Sequence, residues 1–211
     1  MGSIKMVLNM LMLNLPVKKI GGEMYELLTM ANRTTEDVFS LLDNLLKWTK
    51  SQIGNLNVVY QDVDAVEVVD SVIDVFNMVA GLKKITIREE KPEKLPVCTD
   101  IDMLKTIIRN LLSNAIKFSN ENSEVLVKME EQGDTVVVSV KDSGCGIDEE
   151  GQQKLLHTDT HFSTFGTNNE EGSGLGLLLC QDFAVKSGGK LWFTSKKGEG
   201  STFYFSIPLK K

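Results

Sequence analysis

The spacing of apolar residues changes along the chain. Met24, Leu28, Ala31, Thr35, Val38, Leu42 and Leu45 recur at alternating steps of four and three, a heptad seam along one long helix from Glu23 to about Ser51. Leu27, Leu41 and Trp48 add a second edge, and a stripe of that width suits four packed helices better than two. The plainer alternative is an amphipathic helix lying on its own domain; the uninterrupted length of the pattern favours the bundle. Ahead of it, residues 4–14 read as a short helix. Residues 15–22, with Pro16, Gly21 and Gly22, read as a turn, so the N-terminal region is predicted to be a helical hairpin.

After Gly54 and Asn55 the pattern shortens and mixes periods. A short strand is predicted over 58–61. A helix follows over 64–80, with Val66, Val69, Val72, Ile73, Phe76 and Val79 on its core face and Gly81 as its stop. Residues 84–88 and 95–98 read as strands around a charged turn at 89–94, and Asp100 as the N-cap of a helix over 101–118. Strands at 124–130 and 134–140 form a hairpin through residues 131–134. Residues 148–173 are polar and glycine-rich, with one apolar patch at Leu155 and Leu156, and read as a mobile loop. A helix over 175–187 and strands over 190–195 and 201–207 complete the chain. The sum is an α/β chain: a two-layer α/β sandwich, helices on one face of a mixed sheet, with the helical hairpin before it. The predicted domains are 1–53 and 54–211.

Composition narrows the function classes. Hydrophobic residues make up 42% and charged residues 25%, which fits a globular chain, and the formal net charge of -6 argues against nucleic acid or an anionic membrane as main partner. No apolar run reaches the length of a membrane span, so no direct membrane contact is expected. Cys98, Cys145 and Cys180 are odd in number and lack metal-site spacing, which points to a reducing, cytoplasmic setting.

Three clusters carry candidate chemistry. Asn110, Asn114 and Lys117 fall on one helical face beside core residues Ile107, Ile108, Leu111, Leu112 and Ile116. An amide oxygen can ligate Mg²⁺, and an ammonium one turn on can neutralise phosphate oxygens; an ordinary amphipathic helix is the plainer reading. Asp142-Ser-Gly144-Cys-Gly146-Ile147 follows an apolar strand. A carboxylate held there by a tight glycine turn can accept the amino hydrogen of adenine, although Asp-x-Gly also marks simple turns. Gly172-Ser-Gly174-Leu175-Gly176-Leu177 opens a helix, where main-chain N–H groups can hold an anion; the plainer reading is a hinge and cap. It is neither a dinucleotide fingerprint nor a Walker loop, because no Gly-Lys-Ser/Thr follows and no strand precedes it.

In this order, with Ser163-Thr-Phe-Gly-Thr167 between the last two, the motifs resemble the nucleotide-binding domain of sensor histidine kinases. That domain belongs to the wider superfamily of Hsp90-type chaperones, gyrase-type topoisomerases and mismatch-repair ATPases. The resemblance implies a Bergerat-type fold, ATP and Mg²⁺ as ligands, and Asn110, Asn114 and Lys117 as the catalytic group. It implies that Asn114 binds magnesium and that Asp142 selects adenine. Gly144, Gly146, Ile147, Thr167 and a hydroxyl at Ser201 or Thr202 would line the pocket. Gly172, Gly174, Leu175, Gly176 and Leu177 would lie along the phosphates. Hydrolytic relatives place a catalytic glutamate where this chain has Asn110, and an amide is no general base, so phosphotransfer fits better than hydrolysis. Residues 148–171 would be the lid over the nucleotide. His157 and His161 fall in it, and polar loop histidines are the better reading than a zinc site.

The helical region resembles the dimerisation and phosphoacceptor module of the same kinases, with Asp43 to Gly54 at the end of its second helix. The acceptor histidine would precede Ile4, and no residue there is histidine. The chain is therefore expected to begin downstream of the acceptor box and not to autophosphorylate alone. The resemblance implies a homodimer through helices 4–14 and 23–51, and relay to the receiver domain of a response regulator. It places the chain in the cytoplasm, within a parent that is membrane-anchored or wholly soluble. The alternative of another class is a catalytically inactive nucleotide-binding scaffold.

Overall fold

The computed structural model describes residues 31, 35, 38, 42, 44–49, 57–155, 166–167 and 174–209. The chain divides into two units, Met1–Thr49 and Lys50–Lys211. In the first, every described residue is helical. Thr35 and Thr49 turn their hydroxyls back onto the carbonyls of Ala31 and Leu45, four residues earlier, as threonine does when it must sit inside a helix. The predicted short helix at 4–14 and the turn at 15–22 lie outside the described residues, as does most of the long helix.

The second unit runs β1 (Gln61–Asp64), α1 (Ala65–Leu82), β2 (Thr86–Glu90), β3 (Pro96–Thr99), α2 (Ile101–Phe118), β4 (Glu124–Gln132), β5 (Thr135–Lys141), α3 (Glu149–Lys154), α4 (Leu175–Lys186), β6 (Leu191–Lys196) and β7 (Gly200–Pro208). Five strands form a mixed sheet in the order β2-β4-β5-β7-β6, with β2 parallel to β4 and the other pairs antiparallel. β1 and β3 make a separate antiparallel pair.

Strand alternation explains the layer. Val125, Val127 and Met129 of β4, Val136, Val138 and Val140 of β5, and Phe203, Phe205 and Ile207 of β7 are buried. The buried residues of α1, α2 and α4, among them Val69, Ile73, Leu104, Ile108, Leu111, Leu179 and Phe183, complete the same core. On the opposite face Trp192 and Tyr204 stack as a registered cross-strand pair, with ring centroids 5.3 Å apart.

Several boundaries differ from the predicted ones for local physical reasons. The first strand begins at Gln61 rather than 58, because its pairing is set by β3. Gly81 does not stop α1. The helix runs to Leu82 and ends in a Schellman motif, in which Ile85 N–H reaches Ala80 O and Lys84 N–H reaches Gly81 O, with Lys84 itself left-handed at φ 56°. Val79, predicted for the core face, is instead 46% exposed and joins Val75, Met78 and Leu82 on the outer side of α1. Residues 149–154, predicted as loop, form α3. Asp148 caps it by accepting from Gly151 N–H, and Lys154 pairs with Glu150 one turn back.

Candidate functional site

Helix α2 is fixed from its first residue. Asp100 Oδ1 accepts from the N–H groups of Asp102 and Met103 at 2.9 and 3.0 Å, while Oδ2 accepts from Val59 N–H at 2.9 Å. One carboxylate thus caps the helix and ties the entering chain to it. Leu104, Ile107, Ile108, Leu111, Leu112, Ala115 and Ile116 then go into the core. Asn110, Asn114 and Lys117 are left half-buried along one edge, as the steps of four and three require.

Asn110 Nδ2 donates to Thr106 O at 2.9 Å, and its Oδ1 faces the start of α4 so closely that a Cβ on Gly176 would lie 2.6 Å away. Glycine at 176 is the condition for this approach. Gly174, left-handed at φ 69°, is the N-cap of α4 and is followed by buried Leu175 and half-buried Gly176 and Leu177. Gly172 lies outside the described residues, as do His157, His161 and Leu156.

The other end of α2 meets the Asp142 turn. Cys145 N–H donates to Phe118 O, and a Cβ on Gly144 would collide with that carbonyl oxygen at 2.1 Å. Gly146 is left-handed at φ 62° and lies against the main chain of Lys196. Asp142 is buried, and its Oδ1 accepts from Gly144 N–H at 2.9 Å and Ser201 N–H at 3.2 Å. Among the described residues its Oδ2 takes no hydrogen bond. Burial raises the carboxyl above its ordinary range, and the main-chain N–H groups of Gly144, Ser201 and Asp142 itself partly offset that rise.

Strand register decides between the two candidate hydroxyls. Lys141 pairs with Thr202. The next position therefore sets Asp142 beside Ser201, and Thr202 belongs to the opposite face. Ser201 Oγ is 2.9 Å from Ser195 Oγ, and Ser195 Oγ accepts from Ile147 N–H at 2.9 Å. Gln152 donates to the carbonyls of Ile147 and Ser195. Ser195 and Gln152 were not singled out from the sequence, because the contacts that bring them to the Asp142 turn, Ser195 with Ile147 and Gln152 with Ser195, span 48 and 43 residues. Thr167 sits at the end of α2: its N–H donates to Lys117 O at 3.2 Å and its hydroxyl lies 2.8 Å from Ser119 O. Among the described residues, no group of three or more His, Cys, Asp or Glu side chains could hold a metal. A hard cation here would therefore rely on an amide oxygen and on oxygens that a ligand brings.

The site thus joins a mixed sheet covered by helices to a buried carboxylate turn at one end of α2 and a glycine-containing helix start beside its middle, a two-layer α/β sandwich. The family model described as histidine kinase-, DNA gyrase B- and HSP90-like ATPase matches residues 99–211. The chain is 30% identical over 171 residues to the adaptive-response sensory kinase SasA of Rippkaea orientalis, covering 80% of this chain and 43% of that protein. It is 39% identical over 128 residues to SasA of Prochlorococcus marinus, covering 59% and 33%. The catalytic domain of the histidine kinase ThkA superposes with a TM-score of 0.62 at 30% identity, covering 72% of this chain and 96% of that domain. The chain belongs to the histidine kinase-, DNA gyrase B- and HSP90-like ATPase family, and within it corresponds to the ATP-binding catalytic module of the sensor histidine kinases. It spans less than half the length of these two SasA proteins. Among the described residues, no helix is long and apolar enough to cross a membrane.

Proposed function

We propose that this chain binds MgATP between α2, the Asp142 turn and the start of α4, and transfers the γ-phosphoryl group to a histidine carried outside these 211 residues. The observation that carries this reading is the convergence of three elements on α2. Gly176 abuts Asn110, the Gly144 turn abuts Phe118, and Thr167 bonds Lys117 O.

Asp142 Oδ2 takes the amino hydrogen of adenine, while Gly144, Gly146, Ile147 and Ser201 shape the pocket around the ring. Asn114 supplies an amide oxygen to Mg²⁺, and Asn110 and Lys117 face the triphosphate. Thr167, Gly172 and the main chain of Gly174, Leu175, Gly176 and Leu177 border the phosphates. Magnesium, when bound, offsets phosphoryl charge. In transfer, an imidazole nitrogen forms a bond to the γ-phosphorus as the bond from that phosphorus to the ADP oxygen breaks, and ADP leaves. Asn110 has no basic nitrogen or carboxylate to activate water, so the arrangement favours transfer over hydrolysis.

The region 1–53 would be the helical dimerisation part and 54–211 the catalytic part, with homodimerisation through helices 4–14 and 23–51. Similarity to sensor kinases supports a signalling partner in general. A response-regulator receiver domain, accepting the phosphoryl group on an aspartate, is the specific partner proposed.

The test is label transfer from γ-labelled ATP to a separately supplied helical acceptor fragment containing histidine. Label that is acid-labile and base-stable on the fragment supports the reading. Release of inorganic phosphate with no labelled fragment contradicts it.

A further inference from the structure

Lys83 belongs to no motif, yet its ammonium is buried at the centre of the site's scaffold. It is the C-cap residue of α1, and the left-handed Lys84 that follows turns the main chain away and leaves the Lys83 side chain under α2. Its Nζ donates to Ile116 O at 3.0 Å, to Lys117 O at 2.9 Å and to Thr167 Oγ1 at 2.6 Å. The first two acceptors are carbonyls of the last turn of α2, where the helix dipole is negative and its own amides supply no partner. The third, Thr167, passes the linkage on: its hydroxyl accepts from Lys83 and lies 2.8 Å from Ser119 O. The ammonium therefore joins three segments, the end of α1, the last turn of α2 and residue 167.

That last turn carries Lys117, and Asn114 lies less than one turn earlier. We infer that Lys83 is a positioning residue for the phosphate half of the nucleotide site. It holds the last turn of α2 against Thr167 so that Asn114 and Lys117 keep their places. This role rests on the nucleotide reading above. The adenine half meets the same end of α2 through Cys145 N–H and Phe118 O, but the Asp142 carboxylate itself is held by the N–H groups of Gly144 and Ser201, so the effect is expected to fall mainly on the phosphates.

The division between halves gives a readout that a general loss of stability does not move. The affinities of MgATP and AMP are measured by fluorescence competition on the full chain, with thermal melts alongside, for wild type, Lys83→Met, Lys83→Arg and Thr167→Val. Lys83→Met is expected to weaken MgATP about tenfold while leaving AMP within about twofold, and Lys83→Arg, which keeps the charge and donors, to recover most of the loss. Thr167→Val removes one acceptor and is expected to give a smaller loss of the same phosphate-specific kind, so it tests the role even where Lys83→Met does not fold. Equal weakening of MgATP and AMP, or unchanged MgATP affinity in folded Lys83→Met and Thr167→Val, overturns the role while the nucleotide reading stands. Failure of the folded wild-type chain to bind MgATP overturns both.

Discussion

Asp142 and Ser201 bind each other twice: Asp142 N–H donates to Ser201 O at 2.8 Å, and Ser201 N–H returns to Asp142 Oδ1 at 3.2 Å. The exchange holds a buried carboxylate at the end of β5. Such a charge is poorly solvated in the nucleotide-free fold, which is why its protonation is shifted upward.

Two opposite outcomes follow for Asp142→Asn. Nucleotide affinity is expected to fall about ten- to hundredfold, the range for one charge-assisted hydrogen bond. The nucleotide-free variant is expected to melt higher than wild type near neutral pH, since the uncharged amide avoids the burial cost. A raised carboxyl in the fold stabilises below its unfolded value, and that contribution is lost as pH rises through the folded value. Wild type should therefore gain relative stability on acidification through that window while losing ATP affinity, and Asp142→Asn should show neither trend. Melting curves and titrations across pH check both.

The two glycines that let elements touch α2 should behave differently. Alanine at 144 places its Cβ 2.1 Å from the main-chain oxygen of Phe118, which cannot rotate away. Gly144→Ala is expected to cost about 1–3 kcal/mol or more in a denaturant titration. Alanine at 176 meets only the tip of the Asn110 side chain, at 2.6 Å. Gly176→Ala is expected to leave the melting temperature nearly unchanged and to weaken MgATP severalfold by displacing Asn110.

The end of α1 offers a prediction about stability that leaves Lys83 in place. Gly81 is helical and a Cβ there meets nothing within 4 Å, whereas Lys84 is left-handed at φ 56°. Gly81→Ala is expected to stabilise the domain by about 0.5–1 kcal/mol, and Lys84→Gly by roughly 1 kcal/mol. Nucleotide affinity should stay unchanged in both, as read by urea melts and titration.

What was legible in the sequence was whatever repeats at short range. The 3.6-residue period of α2, the alternation in β4, β5 and β7, and the Asp100 cap are local signals, and each element lies within a few residues of its predicted place. The Asp142 turn and the Asn110 face were legible for the same reason. Helix α3 was missed although Asp148, two glutamates and a lysine mark a capped turn; six residues without an apolar stripe give no periodicity. The stop of α1 was misplaced because glycine is the usual left-handed residue, and here lysine takes that role. Lys83, Ser195 and Gln152 were illegible because the contacts that place them at the site, Lys83 with α2 and Thr167, Ser195 with Ile147 and Gln152 with Ser195, span 33 to 84, 48 and 43 residues.

The most direct test of the central claim is a calorimetric titration of the chain and its Asn114→Ala variant with ATP, in Mg²⁺ and in chelator, with MgGTP as the base control. The account expects saturable MgATP binding that weakens about tenfold or more on removing either Mg²⁺ or the Asn114 amide, and no comparable binding of MgGTP, which lacks the donor that Asp142 requires. A folded chain that binds no MgATP, or binds ATP and GTP alike without regard to metal, would contradict it.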